Sequence, residues 1–196
     1  MSIEEILNQV SNIPSSVYEP EIKMWFKYIK DMKSPVIVDF GTGWGKSAIA
    51  LALSNPTAKV MTCDIGDIHV RNRAHYADWV VNNHEDYVRV VRNYLKEKGV
   101  SDRVDFRLQS SLKTPWQRDI DVLNIDSDHT YEGTKAEILR WIPFVKKNGL
   151  IFFHDYEHPN APGVKQAIDE LIPKKFDLEL IEVTDAGPVK CACYKK

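Results

Sequence analysis

Five ionisable side chains fall at the ends of two short apolar runs: Asp126, Asp128 and His129 follow Asp121 to Ile125, and His154 and Asp155 follow Leu150 to Phe153. Titratable groups gathered at neighbouring chain ends are costly to hold together unless they bind or transfer something. Carboxylates and imidazoles in one place suit two kinds of chemistry. They ligate a divalent cation, and an imidazole takes or gives a proton near neutral pH.

The turn Asp39-Phe40-Gly41-Thr42-Gly43-Trp44-Gly45-Lys46-Ser47 is the second group. Read as a phosphate-wrapping GxxxxGK[ST] loop, it places Phe40 where the first glycine is required, and Gly41 comes one residue too late. Read as GxGxxG, it places Lys46 where a small residue must allow close helix–strand packing. An acidic residue followed by GxGxG fits without mismatch, with Asp39 ending an apolar run and the glycines letting backbone approach a ligand. Asp64 ends the next apolar run, and a carboxylate there can accept both hydroxyls of a ribose. Gln109 and Ser110, after a third run, can face an adenine edge. A nucleotide-binding reading through Gly45-Lys46-Ser47, which predicts ATP or GTP with magnesium, stays open at this point.

These residues need a frame that brings run ends together. Val36-Ile37-Val38, Lys59 to Cys63, Val104 to Leu108, Asp121 to Ile125 and Leu150 to Phe153 read as strands. The continuous apolar character of the first is that of a strand buried on both faces of a parallel sheet. Between the strands, helical spacing appears at Ala48, Ile49, Ala52 and Leu53, from about Ala77 to Lys98, from Ile138 to Val145 with Asn148-Gly149 as its stop, and from Val164 to Leu171. Phe176 to Val183 and Val189 to Tyr194, joined across Asp185-Ala186-Gly187-Pro188, read as an antiparallel hairpin. Strand–helix alternation predicts a single Rossmann-like α/β domain, doubly wound and mostly parallel, whose ligands sit at the carboxyl ends of the strands.

Ahead of this domain (35–196) an N-terminal helical arm (1–34) is expected. Ser2 and Glu5 have capping-box spacing, and Ile22, Trp25, Phe26 and Ile29 form an aromatic face that packs on the domain. Trp79, Trp116 and Trp141 read as core or interface residues. His69, Arg71, Arg73, His75 and Tyr76 form a polar segment of the kind found in solvated or substrate-covering loops.

Composition narrows the function. The chain has 196 residues, 43% hydrophobic and 28% charged, enough to bury a core. With 26 Lys and Arg against 28 Asp and Glu, its net charge of -2 argues against a nucleic-acid binder. Cys63, Cys191 and Cys193 match neither a disulfide framework nor a zinc pattern, so a reducing cytoplasm is expected. The acidic start lacks a signal-peptide pattern, and no apolar run is long enough to span a bilayer, so no membrane partner is expected.

VIVDFGTGWGKSA, MTCDI, DVLNIDSDHTYEG and NGLIFFHDY, in that order, resemble the motifs of class I S-adenosylmethionine-dependent methyltransferases over about residues 35 to 195. IDSDHTYEGTKAEILRWIPFVKKNGLIFFHDY further resembles the branch holding macrocin- and mycinamicin-type sugar O-methyltransferases and cephalosporin-hydroxylase-like proteins. The resemblance implies a seven-stranded sheet with a reversed final hairpin. It implies S-adenosylmethionine as cofactor, against Asp39, Gly41, Thr42, Gly43, Trp44, Ser47, Asp64, Gln109, Ser110 and Asp126. It also implies a divalent cation on Asp126, His154 and Asp155, with His129 as the base acting on a small-molecule hydroxyl. One departure stands out: several relatives carry an acidic residue where this chain has His154. Magnesium prefers all-oxygen sites, whereas a histidine with two carboxylates serves manganese, iron, cobalt or zinc as well. A homo-oligomer and a non-catalytic S-adenosylmethionine-binding protein are both compatible with these motifs.

Overall fold

The structure, a computed structural model, describes residues 1–67, 81–184 and 189–196. In chain order its strands are β1 (Val36–Phe40), β2 (Lys59–Asp64), β3 (Val104–Leu108), β4 (Ile120–Ile125), β5 (Val145–Phe153), β6 (Glu179–Val183) and β7 (Ala192–Lys195). They form one sheet in the order β3-β2-β1-β4-β5-β7-β6. β7 runs antiparallel to β5 and β6, and the remaining pairs are parallel. The helices are α1 (Ile3–Val10), α2 (Glu19–Ile29), α3 (Lys46–Ser54), α4 (His84–Glu97), α5 (Tyr131–Trp141) and α6 (Pro162–Lys175). This is the Rossmann-like arrangement that the strand–helix alternation predicts, hairpin included.

Side chains alternate across the strands, so each face of the sheet has its own core. Ile37, Val60, Val122 and Phe152 lie under α1, α2, α3 and α4, while Val38, Met61, Leu123 and Ile151 lie under α5 and α6. The N-terminal helices belong to the first core. Ile6, Val10, Ile22, Trp25 and Ile29 are all buried there, and Trp25 meets Phe152 edge-on at 6.5 Å. The capping box forms as its spacing predicts: Ser2 Oγ accepts from the Glu5 N–H at 3.2 Å, and Glu5 Oε2 accepts from the Ser2 N–H at 2.6 Å. Trp116 and Trp141 are core residues of the second face. All three cysteines are buried and unpaired. Among the described residues, no helix is long and apolar enough to cross a membrane.

Several element boundaries differ from the sequence reading: β5 starts earlier, at Val145, while β6 and β7 start later, at Glu179 and Ala192, and the helix limits shift as well. α5 stops at Trp141, well before Asn148-Gly149: Ile142 keeps a helical conformation, but Pro143 has no N–H to continue the α-helical ladder, and the chain passes into a 3-10 turn over Ile142–Phe144. Asn148 and Gly149 lie instead inside β5, where Gly149 also accepts from the Lys196 N–H. α4 spans His84–Glu97, its start capped by the Asn83 side chain, which accepts from the Asp86 N–H; the expected start near Ala77 lies outside the described residues. α6 runs through Pro173 to Lys175, about one turn past the expected end at Leu171, with the proline in its last turn. Trp79, the polar segment from His69 to Tyr76 and the turn Asp185-Ala186-Gly187-Pro188 lie outside the described residues.

Candidate functional site

A cleft of about 360 Å³ opens at the carboxyl ends of β1, β2, β3 and β4. Gly41, Thr42, Gly43 and Trp44 line it from the first turn, Asp64 and Ile65 from the second, and Gln109 to Leu112 from the third. Asp126 to His129 line it from the fourth, Gly133 and Glu137 reach it from α5, and Pro14 to Ser16 form its rim from the link between α1 and α2.

The glycine turn is built from below. Asp39 is fully buried and accepts hydrogen bonds from Ser47 Oγ (2.9 Å), Thr62 Oγ1 (2.8 Å) and Asn124 Nδ2 (2.8 Å). Burial pushes its carboxyl up to about 7 against these three donors. Asp39 and Ser47 therefore lie beneath the turn, outside the cleft lining, and hold it in shape. Thr42 Oγ1 meets Thr62 Oγ1 at 2.6 Å. Asp64 ties the first two turns together: Oδ2 accepts from the Gly43 N–H at 2.9 Å and Oδ1 from the Gly66 N–H at 2.6 Å. Tyr87 Oη donates to the Gly43 carbonyl at 2.7 Å and packs edge-on against Trp44.

Lys46, half-buried, is absent from the cleft lining and feels the negative charge of Glu21. With Ser47 bonded to Asp39 and Lys46 outside the lining, neither of the two side chains that a phosphate-binding loop aims at its ligand lines the cleft.

At the far end of the cleft the structure brings together Asp126, His129, His154 and Asp155, with one donor atom from each within 4.8 Å of every other. His129 Nε2 lies 3.3 Å from Asp126 Oδ1 and 2.9 Å from Asp155 Oδ2. His154 Nδ1 lies 3.0 Å from Asp126 Oδ1 and 3.4 Å from Asp155 Oδ1. Both carboxylates raise the His129 imidazole to about 10. His154 is buried, which lowers its pKa, but Asp126, Asp155 and Glu21 more than offset this and raise it well above the usual value. Asp126 and Asp155 are correspondingly held low, although burial works the other way.

The group fits a divalent cation. Bonds of about 2.0–2.2 Å place neighbouring donors about 3–3.5 Å apart, the spacing these four contacts have. His154 adds an independent sign, because both its ring nitrogens are buried without a hydrogen bond of normal geometry. Asp155 is held at φ 55°, a left-handed conformation that a non-glycine residue adopts at a cost of about 1–2 kcal/mol.

A methyltransferase-domain family matches residues 38–156. The chain belongs to this family. Its fold is similar to that of cofactor-bound Rv0187 from MTB (18% identity, 98% of this chain and 88% of that one, TM-score 0.71). It is also similar to an O-methyltransferase from Bacillus cereus in complex with SAH (16% identity, 99% and 90% coverage, TM-score 0.68). It resembles TrmN from Thermus thermophilus (14% identity, TM-score 0.67), where 97% of this chain spans only 52% of that one. At these identities the likeness is one of fold. No curated protein sequence matches this one significantly.

Two residues in or beside the cleft were not singled out by the sequence reading. Glu137 is buried in the cleft wall, where Ser111 Oγ (2.5 Å) and Ser127 Oγ both donate to its Oε1, and burial pushes it up to about 7. Glu21, in α2, is fully buried with Oε1 3.5 Å from His154 Nε2. Each lies on the apolar face of its helix, Glu137 one turn before Trp141 and Glu21 one turn before Trp25. A charge at such a position is the signal that finds them.

Proposed function

We propose that this domain transfers a methyl group from S-adenosylmethionine to a hydroxyl of a small molecule, with help from a divalent cation. The observation that carries the reading is the placement of two groups in one cleft. The glycine turn and Asp64 line it on one side, and Asp126 and His129 line it on the other. In this reading the Gly41–Trp44 backbone and the Asp64 carboxylate hold the nucleoside part of the cofactor. Gln109 and Ser110 face the adenine. Sulfonium already activates the methyl group, so the domain's task is alignment and exclusion of water.

The acceptor hydroxyl is the weak partner. Asp126, His154 and Asp155 would hold magnesium or manganese, and a cation there lowers the pKa of a hydroxyl bound to it. His129 takes the proton. It does so in its neutral form, which its two carboxylate neighbours oppose until they are engaged by a cation. The 2.9 Å contact from His129 to Asp155 also supports a second role for the ring, as a fourth ligand. The sugar and natural-product hydroxyls of the resembled branch are the acceptors to try first. The near-neutral net charge supports a small-molecule partner rather than nucleic acid. The cytoplasm, with its S-adenosylmethionine supply, is the proposed location.

The test is methyl transfer from labelled S-adenosylmethionine to a panel of sugar, catechol and natural-product hydroxyls, with chelator or with added manganese or magnesium. Turnover lost with chelator and restored by metal is the expected result. Cofactor binding without turnover on any acceptor favours a sensor or assembly role instead. His129→Ala separates the two roles of that ring: loss of turnover with manganese still bound fits the base, and loss of both fits the ligand.

A further inference from the structure

The cation site proposed above uses β4 and β5 and the loops that follow them. Yet the buried imidazole of His154 faces two ways. Its Nδ1 is turned to Asp126 and Asp155, and its Nε2 to Glu21, which belongs to α2 in the N-terminal arm. Glu21 Oε1 and His154 Nε2 are both buried, neither has a hydrogen bond of normal geometry, and they stand 3.5 Å apart.

Helix capping does not account for the burial of Glu21. Its Oε2 accepts from the Tyr18 N–H at 3.0 Å, closing the start of α2. The same job is done at α1 by Glu5, which stays exposed. A carboxylate removed from water costs several kcal/mol unless a partner uses its charge. Lys46 also feels the charge of Glu21, but the ionisable group within 3.5 Å of Glu21 Oε1, beside Ile22 and Trp25, is the His154 ring.

An imidazole that ligates through one nitrogen carries its proton on the other, and a carboxylate at that N–H fixes both tautomer and ring orientation. We infer that Glu21 is a positioning residue that holds the Nε2–H of His154, so that Nδ1 is the nitrogen offered to a divalent cation between Asp126 and Asp155. The inference rests on the cation reading of the site. It makes the N-terminal arm, which lies outside the matched residues 38–156, a structural part of the chemistry.

The experiment is a manganese titration of the full chain, followed through the electron paramagnetic resonance of free Mn²⁺, with S-adenosylhomocysteine binding measured on the same samples. Glu21→Gln preserves shape and removes the charge. It is expected to weaken manganese binding about ten- to a hundredfold while cofactor-product binding stays at the wild-type value. A folded Glu21→Gln protein with unchanged manganese affinity overturns the inference and leaves the cation reading standing. A wild-type chain that does not bind manganese overturns both. The wild type also gives a readout that needs no variant. With ¹⁵N-labelled histidine and bound Zn²⁺, the His154 ring is expected as the Nε2–H tautomer with a zinc-shifted Nδ1, and a ring protonated at Nδ1 overturns the inference.

Discussion

Gly41 and the carbonyl of Asp126 occupy adjoining space: a Cβ on Gly41 would stand 1.8 Å from the Asp126 oxygen. The first glycine of the turn is thereby locked against the end of β4, so the glycine-turn side of the cleft and the acid–histidine side share one backbone contact. Gly41 is also at φ 82°, a conformation that costs other residues about 1–2 kcal/mol. Strain and overlap act together here, and the overlap is with backbone that cannot swing away.

Gly41→Ala is accordingly expected to lower stability by more than the conformational cost alone, about 2 kcal/mol or more. It should also displace Asp126 and remove the rise in unfolding temperature that S-adenosylhomocysteine gives. Thermal unfolding with and without that ligand checks both effects. A normal ligand shift in the variant would mean that the contact is not part of the site.

Asp64 holds the Gly43 and Gly66 N–H groups and faces the cleft. Hydrogen bonds to a charged group contribute about 1.5–3 kcal/mol each. Asp64→Ala should therefore weaken S-adenosylhomocysteine binding about ten- to a hundredfold or more, measured by calorimetry. Affinity unchanged from wild type would remove Asp64 from the ribose role.

Glu137 gives a pH-dependent prediction. Its pKa rises from 4.5 unfolded to about 7 folded, because burial disfavours the charge. The folded protein thus binds more protons between those values, and the Glu137 contribution is complete below pH 4.5 and lost as pH rises through 7. Glu137→Gln keeps an acceptor for Ser111 and Ser127 and has no charge to bury. Its stability relative to wild type should climb between pH 5 and pH 8 by on the order of 2–3 kcal/mol. Denaturant unfolding at the two pH values measures this, and an equal gap at both would refute the assignment.

Protons should also leave when a cation arrives. His129 is held protonated up to about 10 in the cation-free protein, and His154 is shifted in the same direction. A ring nitrogen must give up its proton to ligate, so manganese affinity should rise from pH 6 to pH 8, by up to about tenfold per pH unit for each proton displaced. Calorimetry in buffers of different ionisation enthalpy counts those protons. Binding without proton release would show that the cation does not contact the imidazoles.

The strands of the parallel sheet were legible in the sequence because each is a short apolar run ending at a polar residue, and β3 matches its expected limits, Val104 to Leu108. Helix limits were less legible where two stop signals compete. In α5 the Ile142-Pro143 pair acts before Asn148-Gly149, and the latter is absorbed into a strand. The chemistry divides the same way. Asp64, Asp126 and His129 lie at strand ends and line the cleft, where the topology rule directs attention. Asp39 and Ser47 belong to the same motif but point into the protein, a distinction that depends on Thr62 and Asn124 closing around the carboxylate. Glu21 and Glu137 escaped because a lone charge on an amphipathic helix reads as solvated. Their partners, His154, Ser111 and Ser127, reach them only through the tertiary fold.

Thermal unfolding with S-adenosylhomocysteine, ATP plus magnesium, or NADH, each at the same concentration, tests the central claim most directly. A ligand at about a hundred times its dissociation constant adds roughly 2.7 kcal/mol of stability. For a domain of this size that raises the midpoint by about 5–10 °C. The cleft described here predicts this rise with S-adenosylhomocysteine and none with the other two. A rise with ATP and none with S-adenosylhomocysteine would contradict the account, because it would require Lys46 and Ser47 to turn into the cleft from which the structure keeps them.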